Sequence, residues 1–230
     1  MGSTMEPEKR RPYVILNAAM TLDGKIATRA GDSRISSEED LNRVHRLRAS
    51  VNAVMIGINT LLVDDPKLTA RRAEGKNPIP VIVDSRSRTP LNAKVLSIKR
   101  ERKPIIAVAE DAPKARVEAL LRAGGDIVSA GRGDRVDLAL LMEKLWERGI
   151  QSILLEGGGN LIWGMMKERL IDEVKVAIAP MMVGGVEAIT LVEGEGYASM
   201  DDALKLEFLG VERCGEDIIL TYRVRRKVAG

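Results

Sequence analysis

Short apolar runs alternate with amphipathic ones along most of the chain, and this alternation constrains the fold more than any other feature. The apolar runs fall at residues 13–19, 53–57, 79–84, 105–109, 126–129, 152–156 and 173–179. Each is short and bounded by polar residues, Pro or Gly, as a buried strand is. Between them, apolar residues recur at helical spacing, as in Leu41, Val44, Leu47 and Val51. Helices are expected at 36–51, 59–63, 113–123, 136–148 and 160–169. Ser36-Ser37-Glu38-Glu39 has the form of a capping box, with Ser36 as the cap and Glu39 reaching back. Pro113 suits a first helical turn, and Gly124-Gly125 suits a helix end. Strands that alternate with helices build a mainly parallel sheet. The runs at 204–213 and 218–224, joined by Cys214-Gly215-Glu216-Asp217, read as a hairpin. The expectation is an α/β fold: a mixed, mostly parallel sheet flanked by helices, with a C-terminal antiparallel hairpin. No repeat or composition break divides it, so 12–227 is read as one domain and 1–11 as a tail. Met5 offers a second start, and Met1 to Thr4 are left out of the fold reading.

Composition then removes whole classes of chemistry. The chain of 230 residues has one cysteine, Cys214, and one histidine, His45. No internal disulfide can form, and no metal site built from several Cys and His is expected. A Ser-His or Cys-His mechanism would have to run through His45, and a lone helical His is more often structural. Lys and Arg total 36 against 33 Asp and Glu, too even a balance for a nucleic-acid partner. The runs Lys99-Arg100-Glu101-Arg102-Lys103 and Arg225-Arg226-Lys227 read as a solvated loop and tail. No apolar stretch is long enough to span a membrane and no signal core opens the chain, so a cytoplasmic protein is expected.

Three segments can carry chemistry. In Ile153-Leu154-Leu155-Glu156-Gly157-Gly158-Gly159-Asn160-Leu161, a strand ends in an acidic residue, three glycines and a helix start. Free N–H groups at such a start attract phosphate, although a tight strand–helix turn needs the same glycines. The spacing is neither the dinucleotide fingerprint nor a P-loop. Asp84-Ser85-Arg86-Ser87-Arg88-Thr89 follows another strand; it can hold an anion such as a 2′-phosphate or form a solvated turn. In Asn59-Thr60-Leu61-Leu62-Val63-Asp64-Asp65-Pro66, Thr60 and Asp64 share one helix face, while Asp-Asp-Pro also suits capping.

These segments also fall in a familiar order. The opening Ala18-Ala19-Met20-Thr21-Leu22-Asp23-Gly24-Lys25-Ile26-Ala27 is followed by Val44-His45-Arg46-Leu47-Arg48 and by Gly57-Ile58-Asn59-Thr60. Asp64-Asp65-Pro66, Leu68-Thr69, Val83-Asp84-Ser85, Glu156-Gly157-Gly158-Gly159, and Ala179-Pro180 with Gly184-Gly185 complete the series. The series resembles the reductases of riboflavin biosynthesis, which have a dihydrofolate-reductase-like fold, over nearly the whole chain. The resemblance is to the stand-alone archaeal type. Bacterial relatives carry the reductase behind a zinc deaminase domain, whose His-x-Glu and Pro-Cys-x-x-Cys set this chain lacks.

The resemblance implies NADPH-dependent hydride transfer to the ribose C1′ of a ribosylaminopyrimidine 5′-phosphate, giving a ribitylamino product, with no metal. NADPH contacts carry over to Ala19, Thr60, Asp64, Ser85, Arg86, Ser87, Arg88, Thr89, Val136, Gly158, Gly159, Asn160 and Leu161. Substrate contacts carry over to Ser33, Arg48, Leu68, Arg71 and Glu156, with Arg48 and Arg71 suited to the 5′-phosphate. Glu156 and Asp64 are the candidate catalytic residues, and Asp23 is expected to shape its turn. A homodimer is implied. The alternatives are a same-fold reductase of the deaminated pyrimidine or of a pterin or folate, or a non-catalytic NADPH-binding protein.

Overall fold

The structure, a computed structural model, describes residues 10–225. In chain order its elements are β1 (Tyr13–Thr21), α1 (Glu38–Ser50), β2 (Ala53–Gly57), α2 (Ile58–Asp64), β3 (Ile79–Val83), α3 (Lys94–Ser97), β4 (Ile105–Val108) and α4 (Lys114–Arg122). There follow β5 (Asp126–Ser129), α5 (Leu138–Glu147), β6 (Ser152–Leu155), α6 (Gly159–Lys167), β7 (Glu173–Ala179), β8 (Leu206–Cys214) and β9 (Asp217–Val224). The nine strands form one sheet in the order β5-β4-β3-β2-β6-β1-β7-β9-β8. Strands β1 to β7 pair in parallel. β9 runs against both its neighbours, β7 and β8, which makes the expected terminal hairpin. Of the basic run Arg225-Arg226-Lys227, the last two residues lie outside the described residues, as do residues 1–9 of the expected tail.

The parallel strands are apolar without a break because both faces are covered. In β2, Ala53 and Met55 join one core layer with Leu141 and Leu145 of α5 and Ile162 and Met165 of α6. Val54 and Ile56 join the opposite layer with Leu61, Val95 and Leu120, so α2, α3 and α4 cover that face. Leu47 of α1 packs against the same layer. These four of the five β2 residues are at most 1% exposed, as a strand covered on both faces requires.

Two local expectations are corrected. The cap of α1 is Ser37 rather than Ser36: its hydroxyl accepts from the Asp40 N–H at 3.2 Å. Either serine suits the motif, and the choice is tertiary, since the Ser37 N–H donates to Asp217 at 3.0 Å. Helix α3 is not expected from the sequence because four residues carry no readable period. It forms because Val95 is fully buried and Asp65 Oδ1 accepts from the Lys94 N–H at 2.8 Å.

Asp23 shapes its turn as expected and also ties it to a distant segment. Its carboxylate accepts from the Thr21 hydroxyl at 2.6 Å and from the Val183 and Gly184 N–H groups at 3.2 and 2.6 Å. The Thr21 bond, then the Gly184 N–H, hold its pKa down at about 2. Beyond that segment the chain reaches the start of α6, where the Glu193 N–H donates to Gly159 O at 3.3 Å. Next to it, Gly194 has φ +84°, and a Cβ there would lie 2.2 Å from Trp163 Cδ1. Gly194→Ala is therefore expected to cost about 2–4 kcal/mol in chemical unfolding, from overpacking plus the left-handed backbone. An unchanged unfolding midpoint would contradict this packing.

Candidate active site

Parallel strands present their C-terminal ends on one side, where α/β sheets place ligands. Ala18 and Ala19 of β1, Gly57 of β2, Val83 of β3 with Ser85 beyond it, and Glu156 beyond β6 together line one open cleft of about 1570 Å³.

The triple glycine forms its floor. Gly157 has φ +110°, its carbonyl accepts from the Gly57 N–H at 2.8 Å, and the peptide to Gly158 is cis. Helix α6 then starts with Gly158 as N-cap, with no side-chain cap and no acidic residue in its first turn. An uncapped helix start offers N–H groups and a positive dipole end to an anion. A Cβ on Gly158 would lie 3.1 Å from Thr60 Oγ1, so α2 and the glycine turn approach closely.

Thr60 and Asp64 both line the cleft, as their spacing on α2 predicts. The adjacent carboxylates have separate tasks. Asp65 takes the left-handed cap position, with φ 38°, and bonds Lys94. Asp64 lines the cleft as an exposed residue, and the partial burial of its carboxyl raises its pKa above the ordinary value.

The Asp84–Thr89 turn splits in two. Ser85, Arg86 and Arg88 line the cleft, together with Arg132 and Arg135 from the loop beyond β5. Ser85 Oγ accepts from the Val136 N–H at 3.1 Å, which holds that loop beside the end of β3. Arg88 donates to Asn59 at 2.9 Å, and Arg86 pairs with Asp134 at 3.1 Å. Ser87 and Thr89 are fully buried beneath this surface. Thr89 donates from both N and Oγ1 to Asp84 Oδ2 at 2.7 Å, and Arg116 bonds the Ser87 and Thr89 carbonyls. Their part is to shape the turn.

At the other end, Arg48 and Glu156 form a two-pronged pair, with Nε and Nη2 each 2.7 Å from a carboxylate oxygen. The side chains are 14% and 11% exposed, so the pair is largely shielded from water. Arg48 Nη1 also donates to Thr69 O at 3.2 Å. Its cation is thus engaged inside the protein rather than held for a phosphate alone. Arg71 lies in an adjoining recess of about 380 Å³ with His45, Arg48, Lys67 and Lys94. Burial, then the cations Arg48, Arg71 and Arg72, hold the His45 imidazole below its ordinary pKa. Leu68, which follows Lys67, is buried with φ +47°.

The cleft therefore brings together Ala19, Ser33, Arg48, Thr60, Asp64, Ser85, Arg86, Arg88, Val136, Glu156, Gly158, Gly159, Asn160 and Leu161. It does not include Ser87, Thr89, Leu68 or Arg71. Asn17, Asp40 and Glu193 line it too, and sequence reasoning missed them. The four-residue spacing of Asp40, Val44 and Arg48 was the available signal for Asp40. Glu193, which accepts from Asn160 Nδ2 at 3.0 Å, arrives from a loop without any periodic pattern. Among the described residues, no cluster of His, Cys, Asp and Glu could hold a metal ion, and no helix is long and apolar enough to cross a membrane.

This architecture matches known proteins. The profile of the RibD C-terminal domain covers residues 12–220. The 2,5-diamino-6-ribosylamino-4(3H)-pyrimidinone 5′-phosphate reductase of Methanothermobacter thermautotrophicus is 54% identical over 218 residues, 94% of this chain and 99% of that one. Acinetobacter baumannii RibD superposes with a TM-score of 0.76 at 27% identity over 94% of this chain and 59% of its own. The Thermotoga maritima diaminohydroxyphosphoribosylaminopyrimidine deaminase/5-amino-6-(5-phosphoribosylamino)uracil reductase superposes at 0.75 with 26% identity, over 94% and 58%. The chain thus spans about three fifths of each of these two solved proteins. It belongs to the RibD C-terminal domain family, the riboflavin-biosynthesis reductases of dihydrofolate-reductase-like fold.

Proposed function

We propose that this chain is the NADPH-dependent reductase of 2,5-diamino-6-ribosylamino-4(3H)-pyrimidinone 5′-phosphate. The observation that carries the reading is the single cleft joining an uncapped helix start to the shielded Arg48–Glu156 pair. The first suits a dinucleotide, and the second suits the hydroxyl and amino groups of a polar substrate. The 54% identity to the Methanothermobacter reductase supports that substrate over its deaminated counterpart.

The residues present fit a dinucleotide phosphate. The N–H groups opening α6 would hold the pyrophosphate, and Arg86 and Arg88, with Arg132 and Arg135 nearby, would hold a 2′-phosphate. NADPH, when bound, supplies a hydride to ribose C1′. The protein orients the substrate and provides a proton. The recess with Lys67, Arg71 and Lys94 takes the 5′-phosphate: its three cations outnumber its one carboxylate, Asp65, which holds Lys94 more loosely, at 3.5 Å, than Glu156 holds Arg48, at 2.7 Å. Glu156 accepts from the ribose hydroxyls or the amino-substituted ring while Arg48 fixes its plane. Asp64, kept protonated to higher pH than an ordinary carboxyl, delivers the proton to the ribose ring oxygen as the C1′–O bond breaks or, in the ring-opened imine, to nitrogen as the C=N double bond becomes single. The same reading makes 12–227 one reductase domain in a cytoplasmic homodimer. Exposed Phe208, Leu209 and Val211 on β8, with Met182 and Val186, support self-association.

Replacing both Arg86 and Arg88 with Ala is expected to raise KM for NADPH roughly tenfold while leaving NADH use unchanged. Steady-state kinetics with both cofactors checks this; equal losses for the two would remove the 2′-phosphate role. The function itself is tested by NADPH oxidation, followed by absorbance, with the ribosylaminopyrimidine phosphate or with dihydrofolate. Turnover of the first alone is expected. Turnover of dihydrofolate alone would replace this reading with a folate reductase.

A further inference from the structure

Rigid, buried polar groups beside a cleft are costly unless something pairs with them. Asp40 is such a group. It is fully buried, and its Oδ1 accepts from Arg43 Nε at 2.8 Å, with Nη2 of the same guanidinium in ion-pair contact at 2.7 Å. Arg43 Nη2 also donates to Asn17 Oδ1 at 2.8 Å. Asp40 Oδ2 and Arg43 Nη1 are buried with no protein partner. The pair thus keeps one acceptor and one donor unused, and Asp40 and Asn17 both line the cleft.

Their place along α1 fits one end of the ligand. Asp40, Val44 and Arg48 share a helix face and all line the cleft. From Arg48 back to Asp40 the helix rises roughly 12 Å. That is comparable to the reach of a phosphoribosylaminopyrimidine from its phosphate to the far edge of its ring. The cationic recess is lined by α1 from Leu41 to Arg48, and Asp40 stands one residue before it on the wall of the cleft, within reach of the ring of a substrate whose phosphate lies among Lys67, Arg71 and Lys94.

We propose that Asp40 reads the 2-amino edge of the pyrimidine, its unused Oδ2 accepting an N–H from the 2-amino group while Arg43 and Asn17 hold the carboxylate in place. The inference rests on the reductase reading and extends it to ring specificity. The deaminated ring carries a 2-oxo group there, and two acceptors facing each other repel. Asp40 therefore selects the aminopyrimidinone against the uracil, and Arg43 is a positioning residue.

The test compares kcat/KM of the wild type and Asp40→Asn on the 2-amino and the 2-oxo ribosylamino phosphates. The wild type is expected to favour the 2-amino compound at least about tenfold. Asp40→Asn is expected to lose about 10- to 100-fold on it, mainly through KM. The variant should hold or improve its rate on the 2-oxo compound, to which an amide can donate. Equal changes on both compounds, or none, would overturn the assignment and leave Asp40 to a buried water or to helix packing. If the variant does not fold, inhibition of the wild type decides: 2-amino-4-hydroxypyrimidine should inhibit at least about tenfold more strongly than uracil. Equal inhibition overturns the assignment. Equal turnover of both phosphates by the wild type refutes Asp40 alone, whereas no turnover of either refutes the reductase reading and the ligand with it.

Discussion

Asp64→Asn is expected to lower kcat by about a hundredfold or more, the usual worth of a positioned general acid. Helix α2 is what places the acid. The helix places Thr60 and Asp64 on one face, both on the cleft, and leaves Asp65 to close its end. Partial burial of the carboxyl, on an otherwise exposed Asp64, raises its pKa from the ordinary value. A general acid works in its protonated form, so activity is present below the raised pKa and is lost as pH rises through it. A pH profile of kcat should therefore show this decline in the wild type, displaced upward from the ordinary carboxylate range, and not in Asp64→Asn. Asp65→Ala is the matched control: without the acceptor for the Lys94 N–H it should lower stability through the α2–α3 contact and spare the profile. An Asp64→Asn enzyme with unchanged kcat and an unchanged profile would move the proton to a bound water.

Glu156→Gln is expected to cut kcat/KM by 10- to 100-fold, since hydrogen bonds to charged groups contribute about 1.5–3 kcal/mol. Glutamine keeps the shape but loses the charge that holds both prongs of Arg48. The cation is then left with the Thr69 carbonyl in a site that water barely reaches. Arg48→Lys should fall by a similar factor, because an ammonium cannot reproduce the planar fork. If Glu156→Gln turns over at the wild-type rate, the pair is a structural strut and not part of the reaction.

Much of this was legible in the sequence, and the reasons differ by element. The parallel strands could be read because each is covered on both faces and so stays apolar throughout. Thr60 and Asp64 could be read because helix spacing fixes which side chains share a face. The triple glycine announced a close approach but left the ligand open. The cap of α1 was displaced by one residue because a bond from the distant hairpin decides between two serines. Helix α3 was invisible because its stability comes from Asp65 and a buried Val95 rather than from its own four residues. Ser87 and Thr89 carry the same residue types as their neighbours, and only the fold shows that they turn inward onto Asp84 and Arg116. Arg48 looked like a free cation because its partner, Glu156, is 108 residues away.

The central claim is that this cleft reduces a ribosylamino group at C1′. The most direct measurement uses NADPH deuterated at the transferable position, with the product examined by mass and NMR. The account predicts a ribitylaminopyrimidine phosphate that carries one deuterium, on C1′. Deuterium on the pyrimidine ring, or a product without deuterium, would contradict it.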